Sequence, residues 1–342
     1  MTVAFLFPGQ GAQRPGMLHD LPPGSETYRT LSDAAAFLGR PVGPGDDGAD
    51  AFDSEGPMRT DTTAIQLALL IAGTAGAREL AARGCRPDWV AGHSVGAVTA
   101  AVAAGALDLT DALDLVRLRA ALMSAAVPTS DEYGMVAIGG LSQAQVERCA
   151  AQVRAEGLTV YASNVNAPDQ VTVSGSVSGL DRVAALCRER GAKRSNRLGV
   201  PIPAHCALLD GVVAPLTDHL ADLARAGRLR RPQCAWVTNI DGRPTRDPQR
   251  MAADLAQGVA RPVRWYDATT GLYERGVTLF TELPPAGPLT ALANAAFPHA
   301  RSYAVGRDLD SAAVLMRRFK LPFGALPLPC SFSPYLHHQE PQ

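Results

Sequence analysis

The sequence predicts an α/β fold in two parts, a large domain built on a parallel sheet and a small domain inserted into it. Three observations predict it. A short apolar strand at residues 89–92 enters the turn Gly92-His93-Ser94-Val95-Gly96 and then an Ala-rich helix over 98–107, a strand–turn–helix unit of the kind that lifts a Ser above a sheet. A first strand at 3–7 runs into Pro8-Gly9-Gln10-Gly11-Ala12-Gln13, a loop at a strand end, where α/β folds carry their sites. Between Gly134 and Val200 the order changes to β-α-β-β-α-β, a self-contained unit.

Taken in order, residues 43–56 are rich in Gly, Asp and Pro and read as a mobile surface loop. A helix over 62–83 follows, with Asp61 near its start, Gly84 past its end and Pro87 beyond. After the Ser94 turn comes a helix over 110–125. The small unit has strands at 135–138, 158–162, 170–174 and 193–200 and helices at 142–156 and 177–190, with residues 163–168 as the loop joining its middle strands. That order is ferredoxin-like, with ends near Pro128 and Pro201. The large domain thus comprises 1–127 and 201–318, the small domain 128–200, and residues 319–342 form a Pro-rich tail. Beyond 201, residues 235–239 and 279–282 read as strands, Pro262-Val263-Arg264-Trp265 opens a helix running to Tyr273, and Glu282 starts a loop before another helix.

Composition narrows the function. The chain has 342 residues, 46% hydrophobic and 19% charged, enough for a sizeable core. A formal net charge of −1 argues against a nucleic-acid or anionic-membrane surface. Six Cys (85, 149, 187, 206, 234 and 330) form no C-x-x-C pair, which reads as reduced thiols in a cytoplasmic protein. The N-terminus lacks the pattern of a signal peptide, and the apolar run at 64–77 is broken by Gln66, Gly73 and Gly76 and falls short of a membrane span. No metal-ligand spacing and no nucleotide-binding fingerprint occur.

The chemistry gathers at a few residues. Small residues flank Ser94 because a Cβ there would crowd the crossing strand and helix, and the helix N-terminus behind the turn favours an oxyanion. Gln10 belongs either to an ordinary βα loop or to a loop that donates to that oxyanion. Arg119 has Leu115 and Val116 behind it and Leu122 and Met123 ahead, so it projects from the apolar stripe, whereas Arg117 lies beside Asp114. Arg119 is then a structural ion pair, a snorkelling edge residue, or a guanidinium aimed at a cavity to grip a substrate carboxylate. Asn164 and Asn166 before Pro168 read as turn chemistry. His205, on a loop stiffened by Pro201 and Pro203, is the best available general base, and Cys206 beside it is a rival nucleophile without the turn and helix that Ser94 has.

Together, residues 7–13, Gly92-His93-Ser94-Val95-Gly96, Arg119, Asn164-Val165-Asn166-Ala167-Pro168, Pro203-Ala204-His205-Cys206, Pro262-Val263-Arg264-Trp265 and the Glu282 loop resemble the malonyl-CoA:acyl-carrier-protein transacylase family, in order from residue 3 to about 300. The resemblance implies an α/β-hydrolase-like large domain with an inserted ferredoxin-like domain. It implies Ser94 as acylated nucleophile, His205 as base, Arg119 on the malonyl carboxylate, Gln10 and the Val95 N–H as oxyanion hole, and Asn164 along the thioester channel. A main-chain carbonyl orients the base in this family, by position that of Gly258, where relatives usually carry an amide side chain. No cofactor is implied, since malonyl-CoA and the carrier protein's arm are substrates. Ala97 stands where fatty-acid-synthesis members commonly have Glu. Residues 8–18 and 92–107 are more similar to the transacylase (epsilon) subunit of bacterial malonate decarboxylase, whose acceptor is that complex's small carrier with a CoA-derived arm and whose other subunits would be partners. The alternatives are a transacylase of fatty-acid or polyketide synthesis, a serine hydrolase or thioesterase, and a non-catalytic scaffold subunit.

Overall fold

The computed structural model describes residues 2–127, 132–200 and 202–320. The first half of the chain comprises β1 (Thr2–Phe7), α1 (Ser25–Leu38), α2 (Glu55–Thr60), α3 (Thr62–Ala82), β2 (Trp89–Gly92), α4 (Gly96–Ala103) and α5 (Leu109–Ala125). There follow β3 (Tyr133–Gly139), α6 (Gln143–Ala155), β4 (Val160–Ala167), β5 (Gln170–Ser176), α7 (Val177–Glu189) and β6 (Arg194–Arg197). The rest comprises α8 (Asp210–Arg225), β7 (Ala235–Val237), β8 (Pro244–Thr245), α9 (Pro248–Gln257), α10 (Trp265–Glu274), β9 (Val277–Glu282), α11 (Pro288–Ala296), β10 (Arg301–Ala304) and α12 (Leu309–Lys320).

Two sheets result. The larger runs β10-β9-β1-β2-β7-β8 and is parallel except for the β7–β8 pair. The smaller runs β4-β5-β3-β6 and is antiparallel, so the β-α-β-β-α-β order read from the sequence is present. Strand periodicity explains the layers of the large sheet. Val3, Phe5 and Phe7 of β1 join the core with α3, α4 and α12, while Ala4 and Leu6 face the cluster of α10 and α11. The small sheet has its own core, including Val136, Ile138, Val171 and Val173 with Val146, Val153, Leu180 and Val183 from its two helices.

Several expectations need correction. The helix after the Ser94 turn begins at Gly96 and ends at Ala103, four residues before the predicted end at 107, because Gly105 takes φ 71° and turns the chain away. Residues 163–168 are not a loop. All but Pro168 belong to β4, which pairs with β5 through register shifts after Ala162 and Val165, and these bulges let a strand of Ser and Asn read like a turn. Val263 does not open α10 but extends the small sheet, exchanging hydrogen bonds with Ser163 (2.9 Å) and Val165 (2.8 Å). The segment 43–56 is tied inward. The Asp53 carboxylate accepts from the Leu18 N–H (2.7 Å) and that of Asp46 from the Phe52 N–H (2.7 Å), and Phe52 is in the core. Among the described residues α3 is the one helix long and apolar enough to cross a membrane, but 89% of its apolar window is buried against α1, α4 and α5, as a core helix is. The predicted boundaries Pro128 and Pro201, and residues 321–342 of the tail, lie outside the described residues.

Glu282 does more than end β9. Its buried carboxylate accepts from the N–H groups of Gly287 (2.8 Å), Leu289 (3.0 Å) and Thr290 (2.7 Å) and from the Thr290 hydroxyl (2.7 Å), capping α11. Glu282→Ala is expected to lower unfolding free energy by about 3 kcal/mol, read by urea titration, because it strands several buried donors at once.

Candidate active site

The Gly-x-Ser-x-Gly spacing is a matter of clearance. A Cβ on Gly92 would lie 2.0 Å from the Gly96 carbonyl carbon, and one on Gly96 would lie 2.2 Å from the Phe7 carbonyl oxygen. Only glycines let β2 turn into α4 this closely against β1. The turn holds Ser94 at φ 57°, left-handed for a residue with a side chain. Val95 follows as the cap of α4, so its N–H belongs to the helix N-terminus.

Four side chains of distant origin meet at Ser94. The His205 Nε2 lies 2.7 Å from Ser94 Oγ, and His205 Nδ1 lies 2.6 Å from the Gly258 carbonyl oxygen. Nδ1 therefore carries the proton and donates to that carbonyl, leaving Nε2 to accept from the Ser94 hydroxyl. Arg119 Nη2 donates to Ser94 Oγ at 3.1 Å. Arg119 is 4% exposed, and among the described residues no carboxylate lies within 4.0 Å of it. Its other partner is the Gln66 Oε1, and Gln66 Nε2 in turn donates to Gln10 Oε1 at 3.1 Å. That bond fixes which way the Gln10 amide faces. Gln10 Nε2 is left buried with no partner among the described residues, a free donor beside the nucleophile. Arg117, by contrast, donates to Asp114 on the surface.

Electrostatics follow from burial. The His205 imidazole is pushed down to about 3, first by burial and then by the nearby Arg119 charge, against the opposing bond to Gly258. The Arg119 guanidinium falls to about 10 by burial and remains charged at neutral pH. Burial also pushes the Cys206 thiol up to about 11, and its Sγ is turned to the Pro203 carbonyl. Cys206 is an unactivated thiol, and the rivalry with Ser94 ends there.

A cavity of about 410 Å³ opens onto Ser94 and His205. Gln10, His93, Asn164 and Asn166 line it, together with Leu289 and Leu292 of α11, Met135 and Thr172 of the small sheet, and Leu198 just past β6. Asn164 is there as a buried strand residue, its Oδ1 accepting from the Ser163 hydroxyl (3.1 Å). Asn166 Oδ1 lies 3.1 Å from His93 Nε2, and His93 also meets the Trp265 ring edge-on.

The profile of the acyl transferase domain matches residues 4–315. The chain belongs to the acyl transferase family. This acyl transferase is 34% identical over 299 residues to the malonyl CoA-acyl carrier protein transacylase of Haemophilus influenzae, covering 84% of this chain and 90% of that protein. The acyl-carrier-protein S-malonyltransferase of Burkholderia pseudomallei superimposes with a TM-score of 0.84 at 35% identity, over 92% of this chain and 100% of that one. A malonyl-transacylase in complex with a type II polyketide synthase acyl-carrier protein gives 0.80 at 30% identity, over 94% of this chain and all of its own.

Sequence reasoning missed two parts of this acyl transferase's site. Gln66 reads in the sequence only as a break in an apolar run, although a fully buried amide on a core helix must find partners. Asn239, two residues past β7, reads in the sequence as the last residue of a strand, with only its position beside the Ser94 strand as a signal.

Proposed function

We propose that the protein transfers malonyl groups from malonyl-CoA to the thiol of an acyl carrier protein of fatty-acid or polyketide synthesis, through a malonyl ester on Ser94. The observation that carries this is the buried Arg119, without a carboxylate partner among the described residues and 3.1 Å from the nucleophile. A desolvated cation in that position is stabilised by a substrate carboxylate that it can grip with two N–H groups.

In the first step His205 Nε2 takes the Ser94 proton and Oγ attacks the thioester carbonyl. The Val95 N–H and Gln10 Nε2 donate to the tetrahedral oxyanion. The C–S bond breaks and the imidazolium returns the proton to the departing CoA thiolate. The second step runs in reverse, with the carrier's thiol as attacking group. The Gly258 carbonyl keeps His205 in the required tautomer, Asn164 lines the path of the thioester arm, and no cofactor takes part. The five cysteines among the described residues are buried free thiols.

The narrower reading, a malonate decarboxylase transacylase subunit working with that enzyme's other subunits, rests on residues 8–18, residues 92–107 and Ala97. The similarity to malonyl CoA-acyl carrier protein transacylases supports the carrier of fatty-acid or polyketide synthesis instead. Presenting the malonylated protein with each carrier decides between them. Rapid discharge to a phosphopantetheine carrier of fatty-acid or polyketide type is expected. Discharge only to a carrier with the longer CoA-derived arm contradicts it, and release of free malonate without a thiol acceptor favours a hydrolase.

The depressed His205 pKa has a kinetic consequence. The base is neutral in the free enzyme far below the usual imidazole value of 6.5, so kcat/KM for acylation is expected to stay level down to about pH 5. A bound malonyl carboxylate offsets the Arg119 charge, so the acid limb of kcat should lie at higher pH than that of kcat/KM. Stopped-flow profiles check both, and a fall in kcat/KM centred near 6.5 contradicts the assignment.

A further inference from the structure

Ser94 and His205 are 111 residues apart, and both sit at positive φ, 57° and 63°. Two strained loops do not hold a 2.7 Å hydrogen bond by themselves, so something outside them must over-determine both. One helix, α9, reaches both. Just past its end the Gly258 carbonyl accepts from His205 Nδ1 (2.6 Å) and the Val259 carbonyl accepts from the His205 N–H (2.8 Å). One turn earlier the buried Asp254 carboxylate accepts from the backbone N–H groups of Asn239 (2.9 Å) and Ile240 (2.9 Å). The Asn239 side chain, itself buried, then spans the nucleophile turn. Its Oδ1 accepts from the Ser94 N–H (2.9 Å) and its Nδ2 donates to the Gly92 carbonyl (2.8 Å). The Asn239 carbonyl is held as well, by the Arg264 N–H at 2.8 Å.

We propose that Asn239, held in place by Asp254, is a positioning residue that cross-braces the turn at Ser94 and so keeps its hydroxyl aligned with His205 Nε2. A single amide satisfies backbone groups on both sides of His93, leading into the strained Ser94, with one atom as acceptor and another as donor, whereas an ionised carboxylate at that position offers no donor. Because α9 holds His205 through Gly258 and Val259 and Asn239 through Asp254, the nucleophile and the base are referenced to one rigid element. The proposal rests on Ser94 being the nucleophile, and its test does not depend on malonyl-CoA being the donor.

The test compares wild type, Asn239→Leu and Asp254→Asn by two rates read from intact mass: malonyl transfer from malonyl-CoA onto the protein, and labelling by a serine-directed fluorophosphonate. Asn239→Leu is expected to slow both by about 10²-fold, the loss that goes with a misplacement of about 1 Å. KM for malonyl-CoA should stay within about threefold, since Arg119 and the cavity walls are untouched. Asp254→Asn should slow both rates by about tenfold, as it keeps only one of two acceptors for the Asn239 and Ile240 N–H groups. Wild-type rates in Asn239→Leu overturn the proposal, as does a rise in KM that accounts for the loss with kcat unchanged. If Asn239→Leu does not fold, Asn239→Asp decides. Assayed at a pH where the new carboxyl is ionised, it keeps the acceptor for the Ser94 N–H but loses the donor to Gly92, and a wild-type labelling rate there overturns the brace. A wild type that reacts with fluorophosphonate but not with malonyl-CoA defeats the donor assignment alone, and the brace is then judged on the probe.

Discussion

Arg119→Ala is expected to slow malonyl transfer by about 10²–10⁴-fold while acetyl transfer stays within about tenfold of wild type, the loss that follows when a desolvated carboxylate is stripped of its partner at about 3–5 kcal/mol. The selectivity is the informative part. Arg119 touches Ser94 Oγ and Gln66 but, among the described residues, no carboxylate of the protein, so its charge is uncompensated until substrate arrives. That arrangement strains the empty enzyme. The uncharged, unbranched Arg119→Met variant is therefore expected to melt at a higher temperature than wild type by scanning calorimetry while losing malonyl selectivity, the trade of stability for function expected of an unpaired buried cation. Equal losses for both acyl groups, or a lower melting temperature with selectivity intact, contradict the assignment.

His205→Ala is expected to lower the acylation rate by about 10³-fold, within the range for loss of a positioned general base. Among the described residues the His205 imidazole receives no orienting carboxylate. Its Nδ1 is held by the Gly258 carbonyl, and a neutral acceptor fixes the tautomer without raising basicity as an anion would. Burial and the Arg119 charge depress it despite that bond. The residual rate of His205→Ala should thus become first order in hydroxide, and a chemical base such as imidazole should restore part of it. A rate within about tenfold of wild type removes His205 from the proton path.

What was legible in the sequence is what clearance and periodicity dictate. Gly92 and Gly96 report a crossing so close that a Cβ would meet backbone at 2.0–2.2 Å, and such constraints leave a trace in any single sequence. Arg119 was legible because helical spacing set it among Leu115, Val116, Leu122 and Met123, and the structure buries it there. Residues 163–167 were misread because polar residues in a bulged strand look like a turn when the partner strand is unseen. Helices α1 and α9 and the strand β10 went unassigned, since their short or mixed patterns gain meaning only from the surfaces they cover. Gln66, Asn239 and Asp254 were beyond reach for another reason. Their significance lies in hydrogen bonds to residues 56, 145 and 15 positions away, which local pattern does not encode.

The central claim is that the Ser94 hydroxyl becomes a malonyl ester that a carrier thiol then removes. Intact-mass measurement of wild type and Ser94→Ala after mixing with malonyl-CoA, followed by peptide mapping and a chase with holo acyl carrier protein, tests it most directly. The account predicts a single malonyl addition on the wild type, located at Ser94, absent from Ser94→Ala and cleared by the carrier thiol. A wild type that gains no mass, or a Ser94→Ala variant that gains the same mass, contradicts it.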